Sequence, residues 1–191
     1  LFREFDGVAW VALGGSGASQ GVSSNSGVST DPSMAYDAAG RPVIAWCDES
    51  SGNAEIYVRR FDGTSWVEMG GSATGGGISA STAPSRGPSL AIGPTGNPVV
   101  VWQEERTDGN WEILGRQWSG TAWIEIGGGS FTGGGISSTP GRSMSPHLSA
   151  GPGGGELFVV WSDDSDTQGD SEIYGRYYRN GLWREVGGYD E

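Results

Sequence analysis

Four tryptophans recur at nearly constant distance: Trp10, Trp66, Trp123 and Trp183 stand 56, 57 and 60 residues apart, and each precedes a Gly-Gly pair by four positions. A second series keeps the same period, in short apolar runs that end in Trp46, Trp102 and Trp161. A third falls between them, where Glu55-Ile56, Glu112-Ile113 and Glu172-Ile173 run ahead of Arg59, Arg116 and Arg176. Three markers on one period define a tandem repeat. A unit of this size cannot cover its apolar face alone and must stack on its neighbours.

Each period contains four strand-like pieces and no helical periodicity. In the middle repeat they are residues 88–92, 98–102, 111–118 and 122–126, here called strands A to D. The A–B turn carries Pro94-Thr95-Gly96-Asn97 and the C–D turn Ser119-Gly120-Thr121, with glycine where a tight hairpin needs a positive φ. The expected fold is all-β, a β-propeller of four-stranded antiparallel blades. Blades are expected over residues 31–71, 87–128 and 145–188, and a half blade, strands C and D only, over residues 1–15. Three and a half blades fall short of the ~4 to 8 that close a ring. The chain therefore reads as a partial propeller, continued by further blades of the same protein or by other subunits.

Composition sets limits on what such a scaffold does. The 36 Gly and 9 Pro are offset by 9 Trp, 6 Tyr and 5 Phe, each able to bury ~150–250 Å². A net charge of −12 with no lysine disfavours nucleic acid and anionic lipid, and removes the phosphate loop and Schiff-base chemistry. No apolar run approaches the ~18 residues of a membrane span. The lone Cys47 has no disulfide partner and reads as incidental. His147 replaces Ser33 and Ser89 and reads as a channel or blade-edge residue.

Strand alternation places the long D–A linkers and the acidic B–C loops at one end of every blade, which makes that end the candidate binding face. Its candidate residues are Asp48, Glu49, Glu104, Glu105, Asp163 and Asp164, with Trp111 as a stacking platform. Asp163, Asp164, Asp166 and Asp170 are the best set of oxygen ligands for Ca²⁺, at a spacing unlike an EF-hand. Trp10, Trp46, Trp66, Trp102, Trp123, Trp161 and Trp183 read as packing between blades. Glu55, Glu112 and Glu172 lie about 13 Å from Arg59, Arg116 and Arg176 along their own strands, so pairing is expected between neighbouring blades instead. Carboxylates that repeat in register read as scaffold, since an active site is built once at unequal positions.

The run Gly-Arg-Pro-Val-Ile-Ala-Trp-Cys-Asp (40–48), then Ser-Ser-Gly-Asn-Ala-Glu-Ile-Tyr-Val-Arg-Arg (50–60), Asp-Gly-Thr-Ser-Trp (62–66) and Gly-Gly-Gly-Ile-Ser (75–79) resembles the sialidase-like, BNR-type propeller repeats of large secreted or surface-attached bacterial proteins. The resemblance spans nearly the whole chain. It departs from the sialidase Asp-box, Ser-x-Asp-x-Gly-x-Thr-Trp, in that Gly63 directly follows Asp62. It implies an extracellular or cell-surface setting and a non-enzymatic binding or assembly module. A glycan-binding lectin and part of a sialidase-like glycoside hydrolase are the alternatives.

Overall fold

The computed structural model describes residues 2–17, 21–166 and 170–186. It contains fourteen strands and, among the described residues, no helix. The hairpin β1 (Arg3–Phe5) and β2 (Trp10–Ala12) is followed by three four-stranded antiparallel sheets of sequential order. The first contains β3 (Ser29–Tyr36), β4 (Pro42–Asp48), β5 (Glu55–Phe61) and β6 (Trp66–Glu68). The second contains β7 (Ser85–Ile92), β8 (Pro98–Glu105), β9 (Trp111–Trp118) and β10 (Trp123–Glu125). The third contains β11 (Ser143–Ala150), β12 (Leu157–Asp163), β13 (Glu172–Arg179) and β14 (Leu182–Glu185).

Strand A is longer than its apolar pattern suggests. It begins three residues early, at Ser85 rather than Pro88, and reaches that start through a bulge repeated in all three sheets. The bulge sits at Asp31-Pro32, Gly87-Pro88 and Ser145-Pro146, where the residue before proline takes a φ of 51°, 60° and 56°. Proline supplies no amide to the ladder, so an irregular step there leaves no donor unpaired.

Alternation along the second strands explains the stacking. In β4, Val43, Ala45 and Cys47 face the second sheet, while Ile44 and Trp46 face the hairpin side. In β8, Val100 and Trp102 join the first core and Val99 and Val101 join the core shared with Leu148, Leu157, Val159 and Trp161. A strand covered on both faces reads as a continuous apolar run. In β12 of the third sheet the apolar residues alternate, with Leu157, Val159 and Trp161 covered and Phe158 and Val160 exposed. The stack is open rather than closed into a ring.

Hydrogen bonds at the A strands and at the D strands register the sheets. At the A strands, Leu90 N donates to Ser33 Oγ at 3.0 Å and Leu148 N to Ser89 Oγ at 2.9 Å. At the D strands, the indole N–H of Trp66, Trp123 and Trp183 donates to the carbonyls of Leu13, Met69 and Ile126 in the preceding unit, at 3.0, 2.8 and 2.7 Å. A buried indole needs such a partner. Trp10 departs from this role: it is 65% exposed against Phe5. Cys47 is not incidental, because its buried thiol donates to Ser85 O across the first interface and burial raises its pKa. His147 lies exposed at the position of Ser33 and Ser89.

Candidate functional site

Three of the carboxylates expected on an open binding face are buried instead. Asp48, Glu104 and Asp163 follow their strand-B tryptophans by two, hence on the same face, and each accepts the indole N–H of Trp46, Trp102 or Trp161 at 2.9–3.2 Å. The strand-A serine adds a second bond: Ser29, Ser85 and Ser143 donate to the same three carboxylates. Asn25, Ser81 and Thr139 of the linkers add a third. Four donors hold the Asp48 carboxyl at about 2 despite the opposing effect of burial. Glu49 and Asp164 stay nearer the surface, in ion pairs with Arg86 and Arg142. Glu105 and Trp111 are half-buried.

The calcium set is also dispersed. Asp163 is saturated by Thr139, Ser143, Trp161 and Ser165, and Asp164 is held by Arg142. Among the described residues no group of three acidic, histidine or cysteine side chains is placed to hold a metal.

The glutamates of strand C have partners that the sequence reading missed. Ser79 Oγ donates to Glu55 and accepts from Ile56 N, and Ser137 repeats this with Glu112 and Ile113 N. The signal was the Ser that ends each Gly-Gly-Gly-Ile-Ser run. Burial pushes the Glu55 and Glu112 carboxyls up, against the lowering effect of those serines. Ser81 bridges Glu55 to Glu104 of the next sheet, through its amide and its hydroxyl. Both carboxyls are buried and filled by the chain's own donors.

The expected pairing of those glutamates with arginines is absent. Arg59 and Arg176 donate to the linker carbonyls of Val22 and Ile136, at 2.9 and 2.6 Å. Arg176 also meets Glu185 of its own sheet at 3.6 Å. Arg116 lies 3.6 Å above the ring of Phe131. Glu55 and Glu112 are held by the linker that follows their sheet, whereas Arg59 and Arg176 bond the linker that precedes theirs.

An open concavity lies at the long-loop end. It is a cleft of about 460 Å³ bounded by residues 23–25 and 73–76 of two linkers and by Ser50 and Ser51 of the β4–β5 loop, with Tyr57 and Arg59 of β5. Tyr57 stacks on Trp46 with centroids 5.9 Å apart and donates its hydroxyl to Gly75 O. Among the described residues Arg59 is the charged member of the lining, and its buried Nε has no hydrogen-bond partner among them. The second sheet differs at one lining position. There Phe131 occupies the place of Ala73, between Arg116 and Trp102. Of the candidate residues only Arg59 lines the cleft.

No protein-family profile matches the chain, and no curated protein matches its sequence. Solved structures do match in fold. An α-L-arabinofuranosidase from Fusarium graminearum superposes with a TM-score of 0.58 at 13% identity, over 82% of this chain and 47% of that one. An endo-arabinase from Bacteroides thetaiotaomicron superposes at 0.51 and 16% identity, over 82% and 60%. A thermostable family-43 glycoside hydrolase superposes at 0.51 and 18% identity, over 84% and 58%. The chain spans between 47% and 60% of these proteins. Of the expected sialidase-type repeats these matches support the propeller-type fold, and not sialidase repeats in particular. The expectation of a non-enzymatic module is overturned, since the similar structures are mostly glycoside hydrolases. The architecture is an all-β stack of antiparallel sheets of propeller type that does not close on itself.

Proposed function

We propose that this chain is a carbohydrate-recognising portion of a glycoside-hydrolase-like propeller, a set of three and a half blades that seats a sugar in the first-sheet cleft. The observation that supports this most directly is the cleft's composition. Ser24 and Ser50 bring hydroxyls that both donate and accept, Ser51 and Thr74 bring acceptor oxygens, and Arg59 brings a fixed fork of donors. Its volume falls within the ~300–1,000 Å³ of small-ligand sites. A neutral polyol matches such a lining, because each ring hydroxyl finds a partner of either sense. The scarcity of open apolar surface favours hydrogen bonding over ring stacking as the mode of recognition.

Calorimetric titration with arabino-oligosaccharides and a panel of neutral glycans tests the proposal. Binding that Arg59→Ala weakens at least about tenfold, the size expected for loss of one charge-assisted hydrogen bond, supports it. Absence of binding across the panel contradicts it. Hydrolysis by the whole protein is the companion reading, favoured by the fold of its structural relatives. Chromogenic arabinofuranosides reveal it through release of the leaving group.

A further inference from the structure

In the first two sheets the linker after strand D turns back and docks on the start of strand C. Ile78 N donates to Ile56 O at 2.7 Å, and Ile136 N to Ile113 O at 2.6 Å. Ser79 and Ser137 close the contact on the glutamate and on the isoleucine amide. Gly77 and Gly135 cross directly over the carbonyls of Ile56 and Ile113 with φ of +63° and +69°, and a Cβ there would overlap those oxygens. The docked pattern is therefore small-residue backbone, then isoleucine, then serine. Ile78 and Ile136 thereby join Ile56 and Ile113, both fully buried, in the cores shared with the next sheet.

The third sheet carries the same receptor uncovered. Ile173 sits opposite Ser162, as Ile56 sits opposite Cys47 and Ile113 opposite Gln103. Its amide and carbonyl therefore point to the same outer side. Among the described residues β14 pairs with β13 from Arg176 to Arg179 and Val186 N donates to Gly175 O, so none of its ladder reaches Glu172 and Ile173. Ile173 is 75% exposed and Glu172 is exposed as well. An exposed apolar side chain beside a carboxylate, with outward-pointing backbone groups, suits a strand edge to augmentation.

We propose that the Glu172–Ile173 edge of β13 is a docking site for an extended Gly-Gly-Gly-Ile-Ser segment, a further linker of this repeat, with its isoleucine against Ile173 and its serine hydroxyl donating to Glu172. The argument is identity of interface: the receptor residues Glu-Ile recur in register, and both covered copies hold the same five-residue pattern. The contact is independent of the first-sheet cleft, so its failure leaves the sugar-binding reading intact.

A synthetic peptide with the sequence of residues 75–82 is titrated into the ¹⁵N-labelled chain and followed by amide chemical shifts. The expected result is saturable perturbation centred on Ile173 and Tyr174 with peptide at about millimolar concentration, as suits a few backbone hydrogen bonds and one buried side chain. Peptide carrying Gly77→Val, and chain carrying Ile173→Arg, are each expected to bind at least about tenfold more weakly. No perturbation at β13 overturns the proposal. Equal binding by the valine-bearing peptide also overturns it, because pairing would then be generic to any strand.

Discussion

The first and second sheets share strand order, register, tryptophan pattern and linker backbone, yet one has an open cleft where the other has a plug. The difference is Ala73 against Phe131. In the second sheet the phenyl ring stacks under Arg116 and against Trp102, so the arginine is spent on an aromatic face. In the first, a methyl group leaves room, and Arg59 keeps a buried Nε without a partner. A repeat separates the two demands on its residues. Glycines, serines and indoles build the stack, and a single linker position decides whether a unit offers a site.

The largest effect tests the common backbone. Gly135→Ala and Gly77→Ala should each cost about 2–4 kcal/mol, because a Cβ meets a carbonyl and the backbone is already left-handed. Chemical denaturation measures both. A marked difference between the two would break the claim that the units share one mechanism of closure. Next, Phe131→Ala should cost about 2–3 kcal/mol and release Arg116. Glycan titration should then show a second site, sharpening the comparison from correlation to cause.

A smaller effect distinguishes the buried acids. The folded Asp48 carboxyl lies at about 2, below its ordinary 3.8. Its contribution is therefore present above the unfolded value and lost as pH falls through the folded one. Asp48→Asn should destabilise by about 1–3 kcal/mol at neutral pH, with the gap closing toward pH 2 in thermal melts. Glu55 and Glu112 act in the opposite sense: their raised values favour the fold at low pH, and that contribution fades as pH rises through them. The smallest effect is Ala73→Phe, expected within about 1 kcal/mol of the parent because the ring enters existing space.

Much of the stack was legible because its signals are periodic. Strand C of the middle repeat was placed at residues 111–118, and the structure has Trp111–Trp118. The strand-D tryptophans of the three four-stranded sheets do bind across interfaces. The bulge before Pro32, Pro88 and Pro146 was not legible, since polar residues there interrupt the apolar pattern used to find strands. The acidic residues misled for a different reason. A carboxylate two positions after a tryptophan looks solvated in sequence, and only the partner serine, asparagine or threonine from a distant linker shows that it is buried. The cleft was hidden because its cause is a small side chain, and the absence of bulk at Ala73 has meaning only beside Phe131.

The most direct test of the account follows the Arg59 Nε–H resonance of the parent chain and of Ala73→Phe during titration with the tightest-binding glycan. The account predicts a shift of that signal, and of the Ser50, Ser51 and Gly75 amides, in the parent alone, with the variant equally folded and silent. An unmoved Arg59 signal during saturable binding, or equal shifts in the variant, would contradict it.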